Sequence, residues 1–418
     1  MTKLLPMSRF IAQIKDGTHG THERVDNGEP LLSAKNVLDG KLAVSEDESM
    51  ISKEEAAAIT ANGFPAKNDI LLTTVGTIGR SLVWLDDKPR PFQRSVSFIR
   101  LNKQQSPQFF KYYFESKYFQ EQLGLLTKVS AQPGVYMGDI LKVPGPLLAK
   151  DAQIKIANYL DTKTQTLDKI LTAKNHTHTH LSELRQAIIT NAVLGAGGAD
   201  VNLQDTNIPW IGKIPAHWEV KKIKHVATVK ARIGWQALTT DEYIDKGPFL
   251  VTGTDFRNGA LDWKTAAHVS DQRWAIDSNI QLEEDDLLLT KDGTIGKVAM
   301  VKGLVGKATL NSGVFVIRAK NDEYNPRYLY HILNSGVFTD FIEYMKTGST
   351  INHLYQQTFV EFSFPMPSRK EQDEIVKLID RRLGQVDIAI EKVVKSTNLL
   401  EEYRSSLISN VVGGKVEV

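Results

Sequence analysis

The chain repeats itself. Asn68-Asp69-Ile70-Leu71-Leu72-Thr73-Thr74-Val75-Gly76-Thr77-Ile78-Gly79-Arg80 aligns with Asp285-Asp286-Leu287-Leu288-Leu289-Thr290-Lys291-Asp292-Gly293-Thr294-Ile295-Gly296-Lys297. Each stretch is an apolar run, a short polar turn, then Gly-Thr-Ile-Gly and a cation, which reads as strand, turn, strand. Pro107, Ser116 and Phe119 match Pro326, Ser335 and Phe338. Gln153, Ile156, Asp161 and Asp168 match Gln372, Ile375, Asp380 and Asp387. Leu181, Glu183, Arg185, Ile189, Asn191, Val193 and Gly195 match Leu400, Glu402, Arg404, Ile408, Asn410, Val412 and Gly414. The separation between copies is constant from Pro107 to Gly195, which chance does not produce. Each half is therefore one mixed module followed by one long helix, and the fold class expected is α+β with a pseudo-two-fold repeat.

The expected boundaries are a module over 1–150, a helix over 151–193, a linker over 194–207, a second module over 208–367 and a C-terminal helix over 368–412. The linker is placed where Gly, Ala and Asn accumulate between Gly195 and Asn207 and no helix should persist. In heptads, the first helix has a positions at Leu160, Leu167, Lys174, Leu181 and Ile188, and d positions at Lys163, Ile170, Thr177, Leu184 and Asn191. The second has a at Ile379, Val386, Val393, Leu400 and Leu407, and d at Arg382, Ala389, Ser396, Tyr403 and Asn410. The a seam is apolar except at Lys174, as a coiled coil requires. Each helix, about 40 residues, is roughly 60 Å long. A helix of that length needs its seam covered. The economical expectation is that the two helices pack on each other, antiparallel, with the modules at opposite ends. Two separate homodimeric coiled coils are the other solution. Asn191 and Asn410 either fix the register or sit at a fraying end.

A chain of 418 residues suggests two to four domains. Its 41% hydrophobic and 24% charged content is ordinary for globular proteins. No cysteine is present, which excludes disulfides, thiolate zinc sites and a cysteine nucleophile. Met1–Phe10 carries no long apolar run, so no secretory signal is read, and no 18 apolar residues run together. The expected location is cytoplasmic. A net charge of +2 favours nucleic acid only weakly, so any basic surface must be local.

Several segments resemble the specificity subunits of Type I restriction–modification systems. Trp210-Ile211-Gly212-Lys213-Ile214-Pro215-Ala216-His217-Trp218-Glu219-Val220 resembles the opening of a target-recognition domain in that family. Gly348-Ser349-Thr350, Leu354, Phe364-Pro365-Met366-Pro367 and Glu371-Gln372 resemble its junction between recognition domain and long helix. Arg185-Gln186-Ala187-Ile188-Ile189-Thr190-Asn191-Ala192-Val193 resembles its helix end, and the turn from Leu288 to Gly296 fits too. The tryptophan-bearing opening precedes module two alone; in the first copy, Met7 to Lys15 already match the stretch around His225 to Lys230. The resemblance implies two target-recognition domains held by two antiparallel helices, each domain reading one half of a bipartite double-stranded DNA site. It implies that the helices bind two copies of an adenine-N6 methyltransferase (M) subunit that uses S-adenosylmethionine. It further implies that restriction (R) subunits, the translocase–nuclease, can join, and that helix length sets the gap between half-sites.

No catalytic motif is found in the chain itself. There is no Gly-x-x-x-x-Gly-Lys-Ser/Thr loop, no Asn/Asp-Pro-Pro-Tyr/Phe segment, no Gly-x-Gly-x-x-Gly after a strand and no Gly-x-Ser-x-Gly elbow. A non-catalytic chain without its own cofactor or metal is expected. The Gly-Thr-Ile-Gly turns either cradle a phosphate beside Arg80 and Lys297 or simply use Gly76, Gly79, Gly293 and Gly296 for positive φ. Base reading needs Arg, Lys, Asn or Gln on loops. The candidates for DNA contact are Lys15, His19, His22, Arg24, Lys35, Arg80, Gln93 and Arg94 in module one. In module two they are Lys230, Arg232, Gln236, Thr254, Arg257, Lys291 and Lys297. The modules differ most in these loops, as two different half-sites require. Candidates for partner contact on the helices are Leu160, Leu167, Ile170, Leu181, Leu184 and Ile188, then Ile379, Val386, Val393, Leu400, Tyr403 and Leu407.

Other clusters read as structural. His176 and His180 share a helix face but lack a third ligand. Glu283-Glu284-Asp285-Asp286 reads as a solvated turn before a strand, and Trp210, Pro215 and Trp218 as a packed wedge between linker and module. The expected function is sequence-specific DNA recognition within a methylating complex. The rivals are a coiled-coil adaptor that binds only protein, and a phosphate-binding enzyme built on the paired glycine turns.

Overall fold

A computed structural model describes residues 3–38, 40–128, 133–196, 202–232, 238–322, 324–346 and 353–418. The chain divides into two compact units. One comprises Met1–His176 with Val394–Val418, the other Thr177–Val393. The long helices are Lys150–Val193 and Arg369–Val412, so each unit holds part of both.

Both modules are built on the same four-stranded antiparallel sheet. In module one its order is Ile11–Asp16, Val96–Leu101, Ile70–Thr73, Ser81–Val83; in module two it is Ala227–Ala231, Val314–Ala319, Leu287–Thr290, Val298–Met300. The central runs Ile70–Thr73 and Leu287–Thr290 are buried throughout, so they read as continuous apolar segments rather than alternating ones. Module two adds a three-stranded sheet, Ala267–His268, Ile244–Val251 and Ala308–Leu310, the last pair parallel. In module one that region holds only the two-residue strands Glu29–Pro30 and Met50–Ile51.

The repeated turn is clamped by a threonine. Thr290 Oγ1 accepts from Lys297 N at 2.9 Å and donates to Thr294 O at 2.5 Å. Thr73 Oγ1 makes the same pair of bonds with Arg80 N and Thr77 O. Gly76, Gly79, Gly293 and Gly296 all have φ between 67° and 93°. At Gly79 a side chain has no room, because a Cβ would lie 2.2 Å from Gln120 Oε1.

Helix starts are equally repetitive. Ser106 caps Pro107–Glu115 and Asn325 caps Pro326–Leu333, each with proline at the first helical position. The buried Gln153 accepts from Ser106 N at 2.8 Å and donates to Leu148 O at 2.9 Å. Gln372, equally buried, accepts from Asn325 N at 2.8 Å and donates to Pro367 O at 2.9 Å. These glutamines fix each module to the start of the helix that follows it.

Each unit is closed by the end of the other long helix. Ile189 and Val193 lie in the same core as Val376, Ile379, Leu383 and module two. Ile408, Val411 and Val412 lie in the same core as Ala157, Leu160 and module one. Thr190 Oγ1 accepts from Gly336 N at 2.7 Å, and Ser409 Oγ accepts from Lys117 N at 2.9 Å. Arg404 Nε pairs with Asp168 at 3.0 Å, and Arg185 Nε with Asp387 at 2.9 Å. In both units these contacts run the two helical segments antiparallel.

The a seam is occupied. Leu160, Leu167, Ile379 and Val386 are buried; Leu181, Ile188, Val393, Leu400 and Leu407 are half-buried. The d assignment is corrected: Ile170, Leu184 and Tyr403 are 39%, 48% and 56% exposed. The second line of packing falls four residues after each a, with Thr164, Leu383 and Val411 buried and Arg185 and Arg404 half-buried. A residue four positions on lies closer to the seam direction than one three positions on. Two arginines on that line hid it from an apolar count.

The stretch read as linker contains a strand, Leu203–Asp205, paired with Lys213–Pro215. The tryptophan wedge sits here. Trp218 is buried and its indole donates to Glu371 at 3.2 Å; Trp210 donates to Ser363 O at 2.9 Å and packs on Phe341 and Tyr344. A Cβ on Gly195 would meet the Pro215 ring at 2.5 Å. Burial opposes the charge on Glu371, but His217, Ser368 and Trp218 donate to it and hold it at about 2.

The acidic run is a turn before a strand with Glu283, Glu284 and Asp285 exposed, as read from the sequence, but its last residue is not solvated. Asp286 is buried and takes both Nε and Nη2 of Arg318 at 2.6 Å. Asp69 takes the same two atoms of Arg100 at 2.8 Å in module one. Glu284 accepts from Gly303 N and Leu304 N, and Asp285 pairs with Lys302. Arg318→Met strands a buried carboxylate, and a loss of about 3 kcal/mol in the stability of its unit is expected in denaturant melts.

Asp161 and Asp380 are repeat partners with different donors. Asp161 accepts from Tyr112 Oη and Gln108 Nε2, both at 2.7 Å. Asp380 takes a bidentate bond from Arg327 at 2.9 Å and faces His331 Nε2 at 3.4 Å, an ionic contact too long for a well-formed hydrogen bond. Burial pushes the His331 imidazole below its ordinary 6.5, more than Asp380 raises it. The unfolded chain thus binds this proton more readily than the folded one. Stability falls as pH drops below about 6.5, by at most about 1.4 kcal/mol per pH unit. Asp380, held at about 2, affects stability only at pH values well below that window. His331→Tyr, which installs the Tyr112 solution, is expected to flatten the decline in Tm between pH 7.5 and 5.5; an unchanged difference refutes this account.

Candidate nucleic-acid interface

In module one, the end of the edge strand Ile11–Asp16 runs into the loop that carries His19. That loop lies against residues 92–94: Thr18 N donates to Phe92 O at 2.7 Å, and Arg94 N donates to Thr18 O at 3.0 Å. Gly17 makes this approach possible, since a Cβ there would lie 2.3 Å from Gln93 O. Four of the sequence candidates, Lys15, His19, Gln93 and Arg94, are thereby gathered on two touching loops. His19 and Arg94 are exposed; Lys15 and Gln93 are half-buried, with the Lys15 ammonium 5.9 Å from the Phe64 ring centre.

The remaining candidates in module one have other placements. His22 is tied inward, to Glu55 at 2.7 Å and Thr18 Oγ1 at 3.1 Å, and its side chain is 11% exposed. Lys35 is exposed and pairs at 2.8 Å with the buried Glu48. Burial would raise that carboxyl, yet Lys35 and Asn36 hold it below its ordinary value. Arg24 is exposed, and Arg80 is half-buried on the glycine turn.

Beside the touching loops is a cleft of about 320 Å³. Lys15 and Arg90 supply positive charge, His19 an imidazole, Phe64 and Phe92 an apolar wall, and Asp16 a carboxylate. Asp16 Oδ1 accepts from Ser97 Oγ at 2.5 Å. Burial pushes this carboxyl up, against the opposing effects of Ser97 and His19. Sequence reasoning missed Asp16 and Arg90. An acidic residue between Lys15 and Gly17 at the end of an edge strand was the available signal.

Module two presents a different surface. Lys230 and Lys297 are exposed. Thr254 and Arg257 form one turn, with Arg257 Nη1 donating to Thr254 O at 2.8 Å and both side chains exposed. Arg232 is a correction: it is 3% exposed, donating to Leu310 O at 2.8 Å and Thr309 Oγ1 at 3.2 Å, so its guanidinium faces the interior. Burial lowers its pKa. Lys291 is also drawn in, at 9% exposure, with Asp292 at 3.3 Å and His353 at 3.5 Å. Gln236 and the Gly348-Ser349-Thr350 segment lie outside the described residues.

Comparison with known proteins fits this duplicated, loop-presenting architecture. The family model "Type I restriction modification DNA specificity domain" matches residues 215–401. That match spans the second module from Pro215 and most of the helix after it, and over its whole length the chain resembles Type I specificity subunits. The MjaVIII specificity subunit of Methanocaldococcus jannaschii is 21% identical over 406 residues, covering 95% of this chain and 88% of that one. The MjaIX specificity subunit of the same organism is 28% identical over 202 residues, and StySPI of Salmonella potsdam 23% over 216 residues. Those two alignments span 45% and 44% of the relatives' lengths. A chain from a solved type I system, studied for complex assembly and conformational transition, matches with a TM-score of 0.69 at 13% identity, over 98% of this chain and 97% of that one. It shares the fold.

Among the described residues of the chain, no group of three or more His, Asp or Glu is placed to hold a metal ion, and His180 pairs with Glu183 at 3.2 Å. No described helix is long and apolar enough to cross a membrane. Gly17→Ala drives a methyl into the Phe92–Gln93 backbone. It is expected to destabilise the first unit by about 2 kcal/mol, read as earlier loss of amide protection in hydrogen exchange around residues 15–19 and 92–94.

Proposed function

We propose that this chain is the DNA-reading, non-catalytic subunit of a Type I restriction–modification complex, in which each module reads one half of a bipartite double-stranded site. The observation that carries this reading is the contrast within the repeat. Sheet, turn, helix caps and closing helix ends recur almost bond for bond, while the loops at the strand ends differ in length, charge and burial. A scaffold held constant under divergent loops is what two different half-sites require.

Exposed polar and basic side chains, Arg24, His19 and Arg94 in one module and Lys230, Arg257 and Lys297 in the other, would position the phosphates. Two methyltransferase subunits would dock on the long helices, bringing S-adenosylmethionine as methyl donor and flipping one adenine in each half-site. Restriction subunits would join that complex. The exposed apolar side chains Ile170, Leu184, Ile388, Leu399 and Tyr403 suit such docking, since Leu160, Leu167, Ile379 and Val386 are already used within the units.

The test is base-resolution adenine-methylation mapping in cells that express the chain with its cognate methyltransferase subunit, against the methyltransferase alone. Methylation at a split motif with a fixed gap, only when the chain is present, is expected. Replacing residues 1–150 with the first module of another specificity subunit should change one half-motif and leave the other intact. Methylation independent of the chain would leave only the adaptor role.

A further inference from the structure

We propose that Asp16 is a base-reading acceptor, whose free carboxylate oxygen takes a hydrogen bond from an exocyclic amino group, cytosine N4 or adenine N6, in the major groove of the half-site read by module one. The proposal rests on the DNA-reading function above and names one of its specificity-determining contacts.

The geometry leaves few other partners. Asp16 is half-buried in a cleft of about 320 Å³, with Ser97 on Oδ1 and no hydrogen bond to Oδ2 from any described residue. Two cationic side chains, Lys15 and Arg90, line the same cleft beside His19, yet none of the described residues forms an ion pair with Asp16. The carboxylate therefore lacks a donor while sitting among groups suited to phosphate. The sugar-phosphate backbone of duplex DNA offers only acceptors, so it cannot satisfy Asp16 and would be repelled by it. Base amino groups are the donors a duplex presents, and in the major groove these are cytosine N4 and adenine N6. Lys15, His19 and Arg90 would meet the flanking phosphates and offset the repulsion between them and Asp16. Burial strengthens the discrimination: a half-desolvated acceptor left unmatched is costly, so the wrong base is penalised rather than merely unrewarded.

Module two lacks this device. Lys15 pairs with Phe98 as Lys230 pairs with Val316, and both partners sit opposite the repeat-equivalent Leu71 and Leu288. The next pair is Asp16 with Ser97 in module one and Ala231 with Phe315 in module two. The residue after that is Gly17 in one and the inward-turned Arg232 in the other. The acceptor is thus private to one half-site.

The experiment is motif mapping in the full methyltransferase complex with wild type, Asp16→Ala and Asp16→Asn. A wild-type complex that gives no split motif would defeat the function reading itself. Given a wild-type motif, Asp16→Ala is expected to make one position of one half-motif degenerate. Discrimination there should fall by roughly 5- to 150-fold, the range for one good base contact, while the other half-motif stays unchanged. Asp16→Asn, nearly isosteric, should shift that position toward adenine, because an amide pairs with adenine N6 and N7. Duplexes carrying 2-pyrimidinone for cytosine, or purine for adenine, remove the amino group alone. The analogue that weakens wild-type binding identifies the base, and Asp16→Ala should be indifferent to it. An unchanged motif in Asp16→Ala, an equal weakening of both half-motifs, or wild-type binding insensitive to both analogues throughout the half-site overturns the proposal.

Discussion

Neither module is finished by the residues that precede its own helix. The core of the second unit contains Ile189 and Val193 from the end of the first long helix; the core of the first contains Ile408, Val411 and Val412 from the end of the second. The closing contacts are directional as well as apolar. Thr190 and Ser409 each cap a backbone N–H at the start of a module helix, and Arg185 and Arg404 each meet an aspartate of the other long helix. A helix end that is both core and cap cannot slide by a turn without losing its hydrogen bond, its ion pair and its buried side chains together. Register is thus fixed where the helix enters each module.

The repeat also separates what must be constant from what is free to differ. Gln153 and Gln372, Asp69–Arg100 and Asp286–Arg318, and the threonine clamps of the two glycine turns are buried polar groups whose principal bonds are duplicated. Unsatisfied, each would cost one to a few kcal/mol, so sequence drift at these positions is restrained by stability alone. At Asp161 and Asp380 the acceptor is kept while its donors change from Tyr112 and Gln108 to Arg327, with His331 taking the place of Tyr112 beside it. One architecture thereby acquires two pH responses, with an imidazole beside this aspartate in only one unit.

What the sequence revealed follows the same division. The α+β modules, the helices and the a seam were legible because apolar periodicity and internal repetition report directly on burial. The exposed d line was misread because Arg185 and Arg404 occupy the seam line four residues from a, and arginine does not count as apolar even when its stem packs and its head is paired. Asp286 looked as solvated as residues 283–285 because its partner, Arg318, lies more than thirty residues away in sequence. Arg232 and Lys291 looked like loop cations. The burial of Arg232 is decided by the extra three-stranded sheet of module two and that of Lys291 in part by His353, neither of which a local window contains.

Asp16 was missed for the opposite reason. A search for DNA contacts looks for positive charge, and bulk attraction to phosphate is indeed what cations supply. Attraction of that kind is indifferent to sequence. Discrimination between base pairs requires groups that are wrong for the backbone and right for a base, and a half-buried carboxylate among cations meets that description more sharply than another lysine. The weak net charge of the chain, +2 over 418 residues, belongs to the same logic. A chain that acts in a complex need not carry the affinity alone. Its loops can mix acceptors with donors, keeping the surrounding cations few enough that the wrong half-site is released.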